Sequence, residues 1–586
     1  MANEGPPNVT DPDRTASDGD RSPVRPGRLP TPAGFLSKAA PVPTARDQSR
    51  RRLGIAMVSA LLAIHVSLAW VSRPPGILLG QDDVEYIVLA QSLREGSYRD
   101  SFTIDSPVHG QYPPGYPALL ALWGRPFGDR YDPLVALSVV FSAATVLLAF
   151  AAGRRVIGMP GALIAAAVLA VNPAMIEMAG RIRSEPAFTF TSLAALYALL
   201  RVSDAAHGPG IRRWLALAGG LAIASLSIRI IGISLLAAVG LCWLIERRWR
   251  ALATISAISA APLVAWLLWT FHASGRFAGS SYVAESRLLL TGGAWRPALP
   301  ARAFDSLRDY VTRAIPYHLG VPTIAGTPLD NILVFCLLAV LSIAGLVALR
   351  KRWPGALLYL GLYGTVLLLW LWAVDRFVIP IVPLLVLVLF AGALSIASRA
   401  RPSMRVIAVV PVAILLIAGS LARVLPAALV GIRCDRSGHL PWRECVTPAQ
   451  ADYLDAIAWI GERTPSDAIL LAGKPGAVFW YTGRRSVSFP ESLSKDTASF
   501  VPFLRSKGAT HVLLGDVAFD PETRLLQRVV ASCSQLRVEA AFAKAMVFAV
   551  RPMGETPSLA ACEIIGRFTG EAASGRDGRS DRRSSS

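Results

Sequence analysis

Arg50-Arg-Arg-Leu-Gly-Ile-Ala-Met-Val-Ser-Ala-Leu-Leu-Ala-Ile-His-Val-Ser-Leu-Ala-Trp-Val-Ser72 sets three cations before a run with no Asp, Glu, Lys or Arg. A helix over 53–72 is long enough to cross a bilayer core, which takes about 20 apolar residues. The pattern recurs. Further spans are expected near 133–152, 160–178, 184–202, 213–228, 230–246, 251–271, 330–349, 354–373, 376–396 and 405–424, about eleven in all. The fifth and sixth are short enough to form one broken hairpin. Composition agrees: 53% of the 586 residues are hydrophobic and 17% charged, with mean hydropathy +0.45, too apolar for a soluble protein of this size. A net charge of +19 would suit nucleic acid. The Arg clusters, however, sit at the ends of apolar spans, where they act as orientation signals, so no nucleic-acid partner is expected.

Charge tests the span plan independently. Arg154-Arg155, Arg212-Arg213, Glu246-Arg-Arg-Trp-Arg250, Arg350-Lys-Arg352 and Arg399-Ala-Arg401 fall on alternate connections, in phase with Arg50-Arg-Arg52. A miscounted span would break that alternation. The expected protein is a multi-pass protein of the plasma (inner) membrane with a cytoplasmic N-terminus. An odd number of spans places everything after about residue 425 outside. Residues 1–52 are rich in Pro, Ser, Asp and Arg, without periodicity or a cleavable signal pattern, and are expected to be a disordered cytoplasmic tail. Residues 53–425 form the membrane domain, 430–570 an outer domain and 571–586 a second polar tail.

The outer connections carry the chemistry-bearing residues. Two are long, 73–132 and 272–329. Three are short: Arg181-Ile-Arg-Ser-Glu185, Ser227-Ile-Arg229 and Asp375-Arg376. Each charge has an ordinary explanation. Asp82, Asp83 and Glu85 suit the cap and first turn of a helix expected over 84–95. Glu185 suits an ion pair with Arg181 or Arg183. Arg229 suits snorkelling, and Arg376 a local pair with Asp375. Independent structural charges would scatter between the two membrane faces. Their concentration on one face points to a shared site, because ionisable groups at the ends of apolar helices are costly to bury. Two carboxylates beside an apolar surface can also act as a base. Within 301–316, Phe304, Leu307, Val311 and Ile315 share one helical face and predict an amphipathic helix on the outer membrane surface.

In the outer domain, helical spacing over 451–463 alternates with strand-like runs at Ala468-Ile-Leu-Leu-Ala472 and Thr510-His-Val-Leu-Leu514, which predicts a small α/β domain. Gly473-Lys-Pro-Gly476 lacks the remaining residues of a phosphate loop and is expected to be a plain turn. Cys242 and Cys336 lie in spans. Cys434, Cys445, Cys533 and Cys562 lie outside, where disulfides are expected. Pairing Cys434 with Cys445 and Cys533 with Cys562 is the simplest of the three connectivities.

Taken in order, these segments resemble the GT-C membrane glycosyltransferases. Asp82-Asp-Val-Glu-Tyr-Ile-Val-Leu-Ala-Gln-Ser-Leu-Arg-Glu-Gly96 is similar to the family's Asp-Glu-x-x-Tyr-x-x-x-Ala-x-x-Leu-x-x-Gly signature. Tyr112-Pro-Pro-Gly-Tyr-Pro117 is similar to its Pro-Pro segment. Arg183-Ser-Glu185 resembles its second acidic motif. Ser227-Ile-Arg229 and Asp375-Arg-Phe-Val-Ile-Pro380 resemble its later arginine motifs. The branch resembled comprises protein O-mannosyltransferases, aminoarabinose transferases and rhizobial lipopolysaccharide galacturonosyltransferases. The chain departs from it in carrying Asp-Asp for Asp-Glu, and in Tyr112 where some aminoarabinose transferases have Lys.

The resemblance implies a multi-pass α-helical GT-C fold with an extracytoplasmic α/β domain. It implies a polyprenyl-phosphate sugar as donor and inverting transfer to an envelope glycan, lipid or protein. Asp82 would be the base, with Asp83 the other candidate. Arg229 and Arg376 would bind the donor phosphate, Arg183 would be a further substrate-binding residue, and Glu185 would position the acceptor or an arginine. Tyr86, His109 and Tyr112 would line the site. No His cluster marks a metal centre, although the acidic residues could hold a divalent ion. The competing readings are a lipid-linked sugar flippase, which would place charges or broken helices near the midplane, an O-antigen ligase or polymerase, which carries its large loop late, and a non-catalytic envelope scaffold.

The charge alternation gives the first prediction. A cysteine introduced within 97–105 should react with an impermeant maleimide on intact cells. Labelling only after the membrane is opened would overturn the topology.

Overall fold

The computed structural model describes residues 45–204, 209–276, 295–322, 328–370, 375–400, 409–436, 445–488, 496–515 and 520–566. The chain divides into two units, Met1–Gly54 and Ile55–Ser586, and the helical bundle and the C-terminal domain belong to the second. Residues 1–44 of the expected tail, all of 571–586, and much of the 272–329 connection lie outside the described residues. The first helix already begins at Ala45, so the tail is shorter than expected.

A helix lies at each expected span, but not all are full crossings. Among the described residues eight helices are long and apolar enough to span: Arg52–Val71, Tyr131–Val156, Ser184–Asp204, Gly210–Ile228, Trp249–His272, Ile332–Leu349, Asp375–Ser398 and Val409–Cys434. A ninth is a pair, Gly158–Ala170 and Pro173–Ala179, bent by 55°. Asn172 explains the bend. Its side chain accepts the Met175 N–H at 3.1 Å and Pro173 follows, so a new helix is capped where the old one stops. The segments Ile230–Ile245 and Pro354–Leu369 are shorter apolar helices.

Helix ends fall in two groups. Arg155 pairs with Asp204, and Arg352 Nη1 donates to Val156 O at 3.1 Å, which gathers these basic connections at one end of the bundle. Arg183 opens the Ser184–Asp204 helix that Asp204 closes, and a helix of 21 residues is about 30 Å long. The residues around Arg183 therefore lie at the opposite end. Close packing comes from small residues, as expected where lipid cannot drive helices together. A Cβ at Gly345 or at Gly392 would come within 1.9 Å of a carbonyl on the facing helix, Val388 O or Leu341 O.

The break between the fifth and sixth segments is at Arg229, which is extended (φ −144°, ψ 135°) between the end of one helix at Ile228 and a 3₁₀ turn over Ile230–Gly232. Gly115 packs on this break. A Cβ there would stand 2.4 Å from Ser227 O, so only glycine lets the Tyr112–Pro117 turn reach Arg229.

The C-terminal domain holds a four-stranded sheet of β1 (Leu470–Ala472), β2 (His511–Gly515), β3 (Leu536–Ala541) and β4 (Ala545–Val550), in the order β1-β2-β4-β3. β1 and β2 are parallel, and the other pairs antiparallel. The expected turn at 473–476 instead starts a helix, Pro475–Thr482, with Pro475 in its first turn. Disulfides join Cys434 to Cys445 and Cys533 to Cys562. Buried Arg484 donates to the carbonyls of Gly461, Thr464, Pro465 and Thr482. The domain is stitched to the first long connection. Ile104 N–H donates to Ser486 O, and Ser486 N–H to Phe102 O, each at 3.0 Å.

The helix Trp295–Asp309 continues through a π turn over Tyr310–Ala314 into Ile315–Leu319. Ser306, Tyr310, Ala314 and His318 form its buried stripe, while Phe304 is 66% and Leu307 45% exposed. Its apolar edge is thus turned away from the protein, as a helix lying in a membrane surface would be. Phe304→Glu or Leu307→Glu should cut activity in membranes at least several-fold more than Arg308→Glu. Equal effects in all three would remove the interface role.

Candidate active site at one end of the bundle

Four chain segments meet where the span ends converge. Helix Gln81–Arg94 starts after Gly80, and Asp82 and Asp83 sit in its first turn rather than capping it. Asp82 Oδ2 accepts from Arg183 Nη1, and from Arg376 Nη1 at 2.6 Å. Arg183 Nε also lies 3.4 Å from Asp83 Oδ1. Glu185 pairs with Arg229 rather than a neighbouring arginine, its Oε1 lying 2.9 Å from Arg229 Nη1 and 3.9 Å from Arg376 Nε. These ion contacts lack hydrogen-bond angles, and neither Glu185 oxygen has a hydrogen-bond partner among the described residues. Arg229 Nη1 donates to Ser184 Oγ at 2.8 Å, and Tyr86 OH lies 2.9 Å from the same oxygen. Asp375 does not pair with Arg376. Its Oδ1 accepts from Arg313 Nη2 at 2.6 Å.

The three carboxylates of Asp82, Asp83 and Glu185 thus face the three guanidiniums of Arg183, Arg229 and Arg376. Burial alone would raise the Asp82 carboxyl. Arg183 and Arg376, with Arg229 behind them, hold it well below the usual carboxylate range. Burial pushes Asp83 up to about 6 against the pull of Arg183 and Arg181. Burial, with Asp100 and Asp82 nearby, also raises Glu85.

Beside the network lies an open-sided cavity. Arg229 and Arg376 line it with Tyr86, Tyr112, Trp370 and Phe377, and Ile228, Ile230, Ile231 and Leu367 supply apolar wall. Of the expected site residues, Tyr86, Tyr112, Arg229 and Arg376 line this cavity. Asp82 is on its edge through Arg376, and Arg183 stands behind Asp82. Asp83 is only 2% exposed and packs toward Arg183, so the outward carboxylate of the pair is Asp82.

His109 is also buried and does not line the cavity. Instead its Nε2 accepts the Tyr112 backbone N–H at 2.8 Å, which places the wall residue Tyr112. Its Nδ1 lies 2.9 Å from Asp100 Oδ1 and 3.5 Å from Glu85 Oε1. Glu85, Asp100 and His109 are the one group of metal-ligand side chains that close among the described residues. They do not fit an ion well. With Nε2 accepting, the ring proton sits on Nδ1 and points at the two carboxylates. The acids of the main network are likewise engaged by guanidiniums. Sequence reading had no signal for Ser184 as the bridge between Tyr86 and Arg229, nor for Trp370 and Phe377 as walls, since all are common at helix ends.

The profile of a family described as dolichyl-phosphate-mannose-protein mannosyltransferase matches residues 111–270. No curated protein matches by sequence. The crystal structure of ArnT from Cupriavidus metallidurans in the apo state is similar with a TM-score of 0.50 at 16% identity, over 86% of this chain and 98% of that one. The Archaeoglobus fulgidus oligosaccharyltransferase in the apo form is similar with a TM-score of 0.51 at 12% identity, over 87% of this chain and 76% of that one. The chain has the GT-C fold that these structures share.

The charged network lies where helix ends converge, and its consequence for stability is testable at Asp83. Its folded pKa of about 6 lies above the ordinary 3.8. The native state therefore keeps a proton that the unfolded chain releases between those values. The contribution is full below the unfolded pKa and lost as pH rises through about 6. The purified protein should melt at a lower temperature at pH 7 than at pH 5, and Asp83→Asn should shrink that difference. Parallel curves would show that Asp83 does not titrate there.

Proposed function

We propose that the protein is an inverting glycosyltransferase that moves a sugar from a polyprenyl-phosphate donor to a hydroxyl of a cell-envelope acceptor, at the outer face of the plasma membrane. The observation that carries this reading is that Arg229 and Arg376 line one apolar-walled cavity, and Arg376 reaches from it to Asp82. A phosphate with an isoprenoid tail needs that combination. Guanidinium binds phosphate oxygens in a fork and stays charged, while the apolar wall and open side accept the tail. The family description, with its dolichyl-phosphate sugar, supports the same donor class.

The geometry suits direct displacement. The acceptor oxygen attacks the anomeric carbon from the side opposite the phosphate. The carbon–oxygen bond to phosphate breaks, and its electron pair leaves as polyprenyl phosphate. The acceptor proton passes to Asp82 and from there to water. Arg229 and Arg376 stabilise the leaving phosphate, which gains one negative charge as the bond breaks. Glu185 holds Arg229 in place, and Tyr86 and Tyr112 wall the sugar side.

The test is incubation of purified protein with radiolabelled polyprenyl-phosphate sugars and an envelope extract. Transfer supports the enzyme reading, and the labelled product identifies the acceptor. Transport of donor without transfer favours a flippase. Asp82→Asn should lower turnover by about 10²–10⁴-fold, the usual loss with a general base, while the donor still binds. Arg376→Ala or Arg229→Ala should weaken donor binding by roughly 1.5–3 kcal/mol, with partial rescue by Lys. Wild-type turnover in Asp82→Asn would return the acidic pair to a purely structural role.

A further inference from the structure

Asp82 as it stands is a poor base, because two guanidiniums share one of its oxygens. The two are not equivalent. Arg183 also faces Asp83, is 12% exposed, and does not line the cavity. Arg376 is 34% exposed, lines the cavity, and holds Asp82 by one nitrogen, Nη1, at 2.6 Å. Arg183 is thus fixed in the network, whereas Arg376 stands between the carboxylate and the space that would hold a phosphate.

We propose that Arg376 is exchanged between two anions during turnover: it holds Asp82 Oδ2 in the donor-free arrangement and turns to the donor phosphate when the donor enters, which frees Asp82 to receive the acceptor proton. The inference rests on a polyprenyl-phosphate sugar being the donor and adds an order of events to that reading. The charge balance favours it. During transfer Asp82 goes from one negative charge to none, while the phosphate goes from one to two as a diester becomes a monoester. The negative charge that leaves the carboxylate reappears on the phosphate, and Arg376 is the cation within reach of both. Arg229 remains on Ser184 and Glu185 and marks the phosphate end of the path. Until the donor is present, the base is masked, and an acceptor or water that arrives first meets a carboxylate with little appetite for a proton.

Exchange has a signature that a fixed network lacks, and it can be read without activity. If donor phosphate must take Arg376 away from Asp82, then removing the Asp82 charge should strengthen phosphate binding. The experiment measures binding of undecaprenyl phosphate to the full-length protein in nanodiscs, for wild type, Asp82→Asn, Arg376→Ala and the double variant. Asp82→Asn should bind roughly tenfold tighter than wild type, the lower end expected for releasing a charged hydrogen bond. In the Arg376→Ala background the same substitution should change binding by less than about threefold, because the coupling runs through Arg376. Asp82→Ser provides the same comparison if the asparagine variant is not monodisperse. Unchanged or weaker binding by Asp82→Asn overturns the exchange. An equal gain in both backgrounds also overturns it, since simple repulsion between Asp82 and phosphate would then suffice. Wild-type protein that binds no lipid phosphate would bring down the donor reading as well.

Discussion

The contact between Arg376 and Asp82 ties the first long connection to the last pair of spans, and the rest of the site is organised around it. The two residues are far apart in sequence, and the acid or base next to each in the chain is engaged elsewhere. Asp375, beside Arg376, is taken by Arg313, and Asp83, beside Asp82, is buried against Arg183. Charges at the edge of a bilayer must be matched. Removing one partner of a buried pair costs about 3–5 kcal/mol, because the other is left uncompensated. Balancing Asp82, Asp83 and Glu185 with Arg183, Arg229 and Arg376 obliges four segments to meet. The fold supplies the means: a helix broken at Arg229, a 3₁₀ turn at Asp375–Ile381, and a turn over Tyr112–Pro117 that Gly115 lets down onto the break.

The surrounding parts hold this arrangement rather than adding chemistry to it. His109 fixes Tyr112 through its backbone N–H, and the C-terminal domain grips the first connection through Phe102, Ile104 and Ser486. The helix from Trp295 to Leu319 reaches both flanks of the segment before Arg376. Arg302 Nη2 donates to Trp370 O at 3.2 Å, and Arg313 binds Asp375. Displacement of this helix would therefore be felt at the cavity wall.

Much of this was legible in the chain because membrane insertion imposes coarse rules. Apolar runs placed a helix at each expected span, though not the helix Gly115–Phe127 that packs among them, and the gathering of charges indicated a site. The errors have physical causes. Apolar length alone cannot distinguish a full crossing from the bent pair at Asn172 or the short helix Pro354–Leu369. Local pairing was the wrong guide to the ions. Glu185 passes over Arg181 and Arg183 for Arg229, and Asp375 passes over Arg376 for Arg313, because helix ends point side chains across the bundle and not along the chain. His109 was expected at the site by its position in the loop, but its place behind Tyr112 depends on a single backbone hydrogen bond that no periodicity reveals.

The central claim is that the cavity between Arg229 and Arg376 is where a lipid-linked phosphate sits. The most direct measurement is a cryo-electron microscopy structure of the full-length protein in nanodiscs with a polyprenyl phosphate bound. Phosphate density is expected within hydrogen-bonding distance of both guanidiniums, between Tyr112 and Trp370, with the isoprenoid leaving along the apolar wall. Density for the phosphate elsewhere, with Arg376 still on Asp82, would contradict it.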